Sequence, residues 1–305
     1  MIRVDVVCGG PGREAEVSRR SGATIHAGLV RAGIDAVLID VVDRLDPVRL
    51  RDGSLVYNTI HGTYGEDGTL QAELDRLGRS YVGSDAAGSR LCMDKDATKK
   101  RLVEAGIRVP WGVRVHLGTP FRPADLKLPH GAGYVLKPAD DGSSVGLRVV
   151  ANPSFILPTV EELLVEVGPR AYLIEERLPG PEYTVAVVDL GDGPRALPAI
   201  AITATGLFDY HAKYTADDTR EDILEDEVLS GELGRLALAA HRACGCRDIS
   251  RTDIMRCADG GYAVLEVNTL PGMTGRSLVP KAAIAADIPF DALVAGLVAC
   301  ADRRR

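Results

Sequence analysis

Several signatures that would assign this chain of 305 residues to other protein classes are absent. The six cysteines form no Cys-x-x-Cys and none stands with histidine at zinc spacing, which argues against a zinc site and favours a reduced protein. No apolar run is long enough to span a membrane, and residues 1–7 lack the apolar core of a signal peptide. The net charge of -7 argues against non-specific nucleic-acid binding. We therefore expect a cytoplasmic protein that binds neither membranes nor nucleic acid.

Length and composition indicate a globular protein with a substantial core. The 305 residues suffice for two or three domains, and the contents of 46% hydrophobic and 26% charged residues are ordinary for that class. Internal repeats and low-complexity tracts are absent from the sequence. An open α/β sheet is predicted at the N-terminus, because strand and helix patterns alternate there.

Hydrophobic periodicity predicts the elements along the chain. The predicted strands cover residues 2–7, 36–39, 55–60, 112–115, 134–137, 171–175, 183–189 and 196–202. The predicted helices cover residues 17–32, 70–77, 94–105, 161–167, 233–244, 277–286 and 290–302. Segments 117–132 and 215–231 are the least regular, and the second is strongly acidic.

The densest chemistry lies in two short motifs, Arg251-x-Asp253 and Glu266-x-Asn268. Apolar residues flank both, and Gly260-Gly261 between them predicts a hairpin turn. Because residues two apart in a strand share a face, all four side chains can project into one site. Carboxylate and amide oxygens suit Mg²⁺, which usually also holds substrate phosphates. The alternative is a surface strand pair with solvated charges, which the aliphatic frame disfavours.

Three loops that follow strands are candidates for ligand contacts. Lys137 precedes a loop in which Gly142 and Gly146 allow tight turns, so that the loop could wrap a phosphate or be an ordinary hairpin. Glu14 lies near a helix start, where it could bind a substrate ammonium or simply favour the helix dipole. His61 lies in a glycine-rich loop, where a ligand contact and a structural hydrogen bond are equally supported.

The ordered set of motifs resembles the D-alanine–D-alanine ligases, members of the ATP-grasp superfamily, over nearly the whole chain. In chain order these motifs are Gly9-Gly10 with Glu14 and Val17-Ser18; His61-Gly62 with Gly65-Glu66-Asp67-Gly68; Met93-Asp94-Lys95; Lys137-Pro138 with Gly142-Ser143-Ser144; Lys213-Tyr214; Arg251-x-Asp253; and Glu266-x-Asn268-Thr269-x-Pro271-Gly272-Met273-Thr274 with Ser277-Leu278. Each motif alone is weak, whereas the ordered set is highly specific.

The resemblance implies an α/β (α+β), three-domain ATP-grasp fold that holds ATP between its central and C-terminal domains. Its expected domains are 1–94, an α/β substrate domain; 95–184, a central ATP-grasp domain; and 185–305, a C-terminal catalytic domain. The implied reaction phosphorylates the carboxylate of one D-alanine with ATP, and the amine of a second D-alanine then displaces phosphate. Phosphoryl transfer depends on positioning and charge neutralisation. The implied cofactors are ATP and two Mg²⁺ ions, which Mn²⁺ could replace, and the implied assembly is a homodimer.

Roles at the ATP end of the site follow from the same resemblance. Metal ions would be held by Asp253, Glu266 and Asn268. The ATP phosphates would be contacted by Lys95, Lys137 and Lys213, with Ser143 and Asn268 also at the nucleotide. The adenine would lie against the segment from Glu175 through Glu176 to Leu178, and the ribose against Glu182.

The resemblance also implies roles at the amino-acid end. Glu14, with help from His61, would bind the first ammonium, and Val17 would lie at the same substrate. A hydrogen-bonded set that closes the site would comprise Glu14, Ser143 and Tyr214. The developing oxyanion would be stabilised by Arg251 and the Gly272 amide, and the second carboxylate would be received by Ser277 and Leu278.

The sequence departs from the family pattern chiefly in the lid after Lys213-Tyr214. The family carries a Pro-Ala element there, whereas residues 215–224 contain no proline. Pro11-Gly12 also replaces the family's small hydroxyl residues, and Leu270 stands between Thr269 and Pro271. The lid motivates an alternative, a related amino-acid ligase with a different acceptor in a specialised pathway. An ATP-binding module without catalysis is a third alternative, disfavoured by the metal-binding motifs and Arg251. We expect residues 215–231 to be poorly ordered without ligands, because they are acidic and have few apolar anchors.

Overall fold

The computed structural model describes residues 2–142, 146–203 and 220–304. Within these residues the strands are β1 Arg3–Gly9, β2 Asp35–Val41, β3 Leu55–Asn58, β4 Tyr81–Val82, β5 Gly112–His116, β6 Tyr134–Pro138, β7 Arg148–Val150, β8 Ala171–Glu176, β9 Glu182–Val188, β10 Arg195–Ala196, β11 Ile200–Thr203, β12 Arg220–Ile223, β13 Ile249–Arg256 and β14 Tyr262–Asn268. The helices are α1 Ala15–Arg31, α2 Thr69–Arg76, α3 Ala86–Met93, α4 Lys95–Glu104, α5 Ile156–Val167, α6 Glu227–Ala243, α7 Leu278–Ala285 and α8 Phe290–Asp302.

The N-terminal sheet is parallel, with strand order β2-β1-β3-β4. Its β1 strand ends at Gly9, and both Gly9 and Gly10 have positive φ angles of 85° and 95°. A Cβ on Gly9 would lie 2.3 Å from the Val41 carbonyl oxygen, so the chain needs glycine to turn here. This turn leads into α1 and places Glu14 at its N-cap.

Two antiparallel sheets follow. One has strand order β5-β8-β6-β7, and the other has order β12-β11-β9-β13-β14 with β10 paired to β9. An open parallel sheet followed by antiparallel sheets is the mixed α/β architecture predicted from the sequence. That prediction of the fold class is confirmed, and the predicted domain boundaries remain a prediction.

The C-terminal helices complete the core of the N-terminal sheet. Leu297 and Val298 of α8 belong to the same buried apolar cluster as Val4 and Val6 of β1. In the described residues no single helix is long and apolar enough to cross a membrane, although α7 and α8, bent by 103°, pass that test as a pair. The α8 side chains named here are fully buried, as in the core helix of a globular fold.

The register of β13 and β14 carries the site. Arg251 pairs with Asn268, and Asp253 pairs with Glu266, so the predicted hairpin and its shared face are confirmed. The register then shifts, because Ile254 pairs with Val264 and Leu265 is left without an opposite residue. This β-bulge breaks the strict alternation of the strand and re-aims the side chains beside it.

The structure differs from the predicted elements in several places. Strands β4 and β7 are only two and three residues long, and they were missed together with α3. The segment predicted as irregular over 215–231 contains β12, which pairs with β11, and the start of α6. Asp226 caps that helix through the Leu229 amide, so α6 begins six residues before the predicted start at Leu233. The prediction that 215–231 is poorly ordered is therefore wrong for 220–231, which include β12 and the start of α6. Residues 215–219 lie outside the described part, and for them it remains a prediction.

Candidate active site

A cleft of about 460 Å³ lies between the two antiparallel sheets and is called the large cleft below. It brings together most side chains predicted to bind ATP. The predicted residues that line it are Lys95, Lys137, Glu175, Glu176, Leu178, Glu182, Asp253 and Glu266. Ser143, Lys213 and Tyr214 lie outside the described residues.

One end of the large cleft is apolar. Leu178 packs in a small cluster with Met255 and Leu265, and all three line the cleft. Leu265 and Glu266 are neighbours in sequence, yet both line the cleft because the β-bulge lies beside them. A flat aromatic ligand that packs on these apolar side chains would therefore lie close to the Glu266 carboxylate.

The large cleft is also lined by a buried ion-pair cluster. Glu175 lies between two lysines, 2.9 Å from Lys137 Nζ and 2.5 Å from Lys99 Nζ. Burial acts to raise the pKa of Glu175, but the two ammonium groups outweigh it and lower that pKa. Burial lowers the pKa of Lys99 to about 8, whereas the carboxylates of Glu175 and Glu266 outweigh burial at Lys137 and raise its pKa. The predicted adenine contact Glu175 is thus also the anchor of the Lys137 ammonium.

A second cavity of about 90 Å³, the small cavity below, adjoins the large cleft. Lys95, Asp141, Gly142 and Glu266 line both. The Lys95 Nζ donates to the Asp141 carbonyl at 2.5 Å and lies 4.0 Å from the Glu266 carboxylate. Burial lowers the pKa of Lys95. The Lys95 ammonium therefore lies where a ligand in the large cleft would meet a ligand in the small cavity. Transfer of a phosphoryl group from one ligand to the other requires such a positive charge.

The acidic side of the small cavity is built from loops of the N-terminal sheet. Glu14, His61 and Glu66 line it, and His61 Nδ1 lies 3.0 Å from the Glu66 carboxylate. Burial acts to lower the pKa of His61, but Glu66 and Glu14 outweigh it and raise that pKa. A Cβ built on Gly142 would be 3.8 Å from both the Glu14 and Glu66 carboxylates, so the two acids converge. This arrangement can bind an ammonium group.

Arg251 and Asn268 also line the small cavity. The Arg251 guanidinium donates to both oxygens of Asp253, at 2.9 and 2.8 Å. Thr184, which faces Asp253 across β9 and β13, donates its hydroxyl to the same carboxylate at 2.6 Å. Asn268 Oδ1 accepts from the Leu270 amide at 2.8 Å. Arg251 and Asp253, predicted to serve different ligands, therefore pair with each other here.

The remaining predicted substrate residues are placed less directly. Gly272 lines the small cavity, and a Cβ on it would lie 3.0 Å from Ser277 Oγ. Ser277 and Leu278 do not line either space; Ser277 Oγ accepts from the Thr274 amide at 3.0 Å at the start of α7. Val17 is buried in the first turn of α1 and lines neither space.

The donor set at the junction has the chemistry of a magnesium site. Asp253 and Glu266 are cross-strand neighbours, and Asn268 adds an amide oxygen on the same face. Within the described ranges, however, no group of three or more His, Cys, Asp or Glu is arranged to hold a metal ion. Two carboxylates and one amide fit Mg²⁺ where substrate phosphates supply further oxygen ligands.

Several residues at the site were missed by sequence reasoning. Met255 follows Asp253 by two residues, so alternation along β13 could have found it. Lys99 follows Lys95 by four residues, which is one turn of α4. Thr184 had no signal in the sequence, because its contact with Asp253 depends on β9 lying beside β13.

The comparisons with known proteins all find the same family. The family described as "D-ala D-ala ligase C-terminus" matches residues 124–299. The D-alanine–D-alanine ligase of Marinobacter nauticus is 41% identical, over 96% of this chain and 89% of the relative. That of Halorhodospira halophila is also 41% identical, over 97% of this chain and 95% of the relative.

Solved structures show the same similarity. The D-alanine–D-alanine ligase of Bacillus anthracis complexed with ATP is 30% identical, with a TM-score of 0.84, over 100% of this chain and 98% of that one. The VanG D-Ala:D-Ser ligase of Enterococcus faecalis is 25% identical, also with a TM-score of 0.84, over 98% and 99% of the two chains. Identity of this extent over whole chains shows that the protein belongs to the family of ATP-dependent D-alanine–D-alanine ligases.

Proposed function

We propose that this chain joins two D-alanine molecules into D-alanyl-D-alanine, with cleavage of ATP to ADP and phosphate, for peptidoglycan precursor synthesis. The observation that carries the proposal is the junction of the two spaces, where Lys95 and Glu266 line both. A nucleotide in the large cleft and an amino acid in the small cavity would meet at this junction. Two relatives that are named D-alanine–D-alanine ligase and align with nearly the whole chain support the assignment.

The first step activates a carboxylate. A carboxylate oxygen of the first D-alanine attacks the γ-phosphorus of ATP, the bond to the β-phosphate oxygen breaks, and ADP leaves. Lys95 and Lys137 are the described cations that would neutralise the phosphates, and Glu175 holds Lys137 in place at 2.9 Å. Asp253, Glu266 and Asn268 would hold two Mg²⁺ ions, which neutralise phosphate charge when bound.

The second step forms the amide bond. The amine of the second D-alanine attacks the acyl carbon, a tetrahedral intermediate forms, and inorganic phosphate leaves as the amine loses a proton. Arg251 and the Gly272 amide line the cavity where the oxyanion would develop. Glu14 and Glu66 converge on the region where the first ammonium would bind, and their charges raise the pKa of His61. Ser277 and Leu278 would receive the second carboxylate, with Ser277 Oγ close to Gly272.

The reaction is tested by incubating the purified chain with ATP, Mg²⁺ and D-alanine. We expect release of phosphate and formation of D-alanyl-D-alanine in equal amounts, with neither in the absence of D-alanine. Absence of the dipeptide over a broad pH range would refute the proposal. Replacing Mg²⁺ by Mn²⁺ should sustain the reaction, and removing both with a chelator should stop it.

A related ligase with a different acceptor is the second candidate. Two observations favour it: the lid sequence after Tyr214 lacks proline, and the chain resembles a D-Ala:D-Ser ligase over nearly its whole length. Phosphate release over a panel of amino and hydroxy acids separates the two candidates. A strong preference for D-alanine in both positions would reject the second.

The setting of the enzyme is proposed with its activity. We propose a cytoplasmic homodimer that acts on small molecules, with domains over 1–94, 95–184 and 185–305. Light scattering of the purified chain tests the dimer, and a monomer at working concentration would exclude it. Limited proteolysis tests the boundaries, because cleavage should concentrate near 94 and 184.

A further inference from the structure

Three cysteines meet beside the small cavity, although the sequence separates them widely. Cys92 lies in the last turn of α3, Cys244 caps the end of α6, and Cys246 lies in the turn before β13. The Sγ atoms of Cys92 and Cys246 are 4.0 Å apart. All three side chains carry free thiols. These residues are called the cysteine cluster below.

The three thiols differ in exposure and in acidity. Cys92 and Cys244 are buried, whereas Cys246 is half-buried and is the one that solvent reaches most easily. Hydrogen bonds to Cys244 and Cys246, together with burial, raise the pKa of Cys92, so this thiol keeps its proton. The hydrogen bond with Cys92 outweighs burial at Cys244 and lowers the pKa of that thiol. Because Cys244 is buried, an oxidant arriving from solvent would meet the more exposed Cys246 first, and the Cys92 sulfur lies 4.0 Å from it.

The cluster also touches the site. Cys92 lines the small cavity together with Met93 and Lys95. The step from α3 to α4 is tight, because Asp94 ends α3 and caps α4 through the amides of Asp96 and Ala97. On the other side, Cys246 lies three residues before β13, the strand that carries Arg251. A bond between the two sulfurs would thus tie the segment that leads to Lys95 to the segment that leads to Arg251.

We propose that Cys92 and Cys246 form a reversible disulfide under peroxide, and that this bond slows the enzyme by displacing the wall of the small cavity. Hydrogen peroxide oxidises the Cys246 thiol to a sulfenic acid and releases one water. The Cys92 sulfur then attacks the Cys246 sulfur, the S–S bond forms, and the hydroxyl group leaves as a second water with the Cys92 proton. Two thiols lose two electrons in total, and peroxide takes them up.

The size of the effect follows from the distance that the sulfurs must close. They are 4.0 Å apart, whereas a disulfide is about 2.0 Å long, so side chains or backbone must shift. Because a misplacement of about 1 Å can cost on the order of 10²-fold in rate, we expect oxidation to reduce phosphate release by at least about tenfold. A thiol reductant should restore the rate. The rate effect rests on the proposed function, but formation of the cross-link does not.

Peptide mapping of the full chain tests the bond directly. Trypsin should release Cys92 in peptide 91–95 and both other cysteines of the cluster in peptide 243–247. After peroxide treatment and alkylation, we expect these peptides joined, with fragmentation placing the link at Cys246. Finding both peptides fully alkylated, or the link at Cys244, overturns the proposal.

Variants test the effect on rate. Cys246→Ser should match the wild type when reduced and keep its activity in peroxide. Cys300→Ser is the matched control, because Cys300 is also half-buried but lies in α8 outside the cluster. It should lose activity in peroxide as the wild type does. A loss that persists in Cys246→Ser, or a mapped cross-link without a change in rate, overturns the proposed effect.

The proposal stays testable if the Cys246→Ser variant does not fold or if the reduced wild type is inactive. If Cys246→Ser does not fold, two measurements on the wild type decide whether the disulfide forms and slows the enzyme: peptide mapping, and recovery of the phosphate-release rate in dithiothreitol. A rate that peroxide lowers and dithiothreitol does not restore counts against the proposal. If the reduced wild type releases no phosphate, the proposed function fails, whereas a mapped link at Cys92 and Cys246 still supports the disulfide.

Discussion

Replacing Thr184 by valine tests whether the support of Asp253 matters for the reaction. The Thr184 hydroxyl donates to Asp253 Oδ1 at 2.6 Å, and both residues are buried. Valine has nearly the same shape, so the substitution removes a hydrogen bond without opening a cavity. Hydrogen bonds to charged groups contribute about 1.5–3 kcal/mol. Because Arg251 still donates twice to the carboxylate, we expect a loss near the lower end, about 1.5 kcal/mol.

Two assays measure the effect of losing this hydrogen bond. Urea unfolding should give a free energy of unfolding lower by about 1.5 kcal/mol. If Asp253 must keep its orientation in the transition state, kcat should fall by about tenfold, since 1.4 kcal/mol corresponds to a factor of ten. KM for ATP should change less, because the cations of the large cleft are untouched.

Thr252→Val is the matched control on the neighbouring strand. Thr252 is fully buried, and in the described part of the chain its Oγ1 has no hydrogen-bond partner. Removing that hydroxyl should leave stability equal or higher, because a buried donor without a partner is costly. The reasoning is refuted if Thr252→Val costs as much as Thr184→Val, or if Thr184→Val leaves both stability and kcat unchanged.

Three further predictions concern charges. Glu266→Gln should abolish turnover more than it weakens ATP binding, because its charge serves the transition state; kcat and a direct ATP titration check this, and a loss confined to ATP affinity contradicts it. Lys99 has its pKa lowered by burial from 10.5 to about 8, so the folded chain binds fewer protons than the unfolded chain between those pH values. Stability due to Lys99 should therefore grow by roughly 3 kcal/mol as pH rises through that window. Urea unfolding from pH 7.5 to 10 should show this rise in the wild type relative to Lys99→Met, and parallel curves would contradict it. Arg304→Met should cost somewhat less than the roughly 3–5 kcal/mol typical of a broken buried pair, because Asp248 is buried while Arg304 is one-third exposed. Thermal unfolding measures that loss, and an unchanged midpoint would contradict it.

The shared face of the β13–β14 hairpin was predictable from the sequence, whereas its β-bulge was not. Arg251, Asp253, Glu266 and Asn268 were placed on one face by period-two alternation alone, and the register agrees. The bulge that also brings Leu265 into the large cleft was not predictable, because one unpaired residue in a strand changes no local pattern.

Contacts between distant segments were the main gap. Glu175 was predicted only as a contact for adenine, yet it lies between Lys99 and Lys137, which come from different elements. The cysteines form no recognisable motif in the sequence, whereas the packing of α3 against the end of α6 brings Cys92 to Cys246. The order of strands and the packing of helices decide such pairs, and both depend on the whole core.

The junction of the two spaces has a consequence for inhibitor design. The large cleft and the small cavity share four lining residues: Lys95, Asp141, Gly142 and Glu266. The linker of one molecule that fills both spaces would pass these shared residues, and a linker with negative charge would meet the Lys95 ammonium there. Joining the two halves makes the second contact intramolecular, so avidity can exceed either affinity by about 10²–10⁴-fold when the linker length fits.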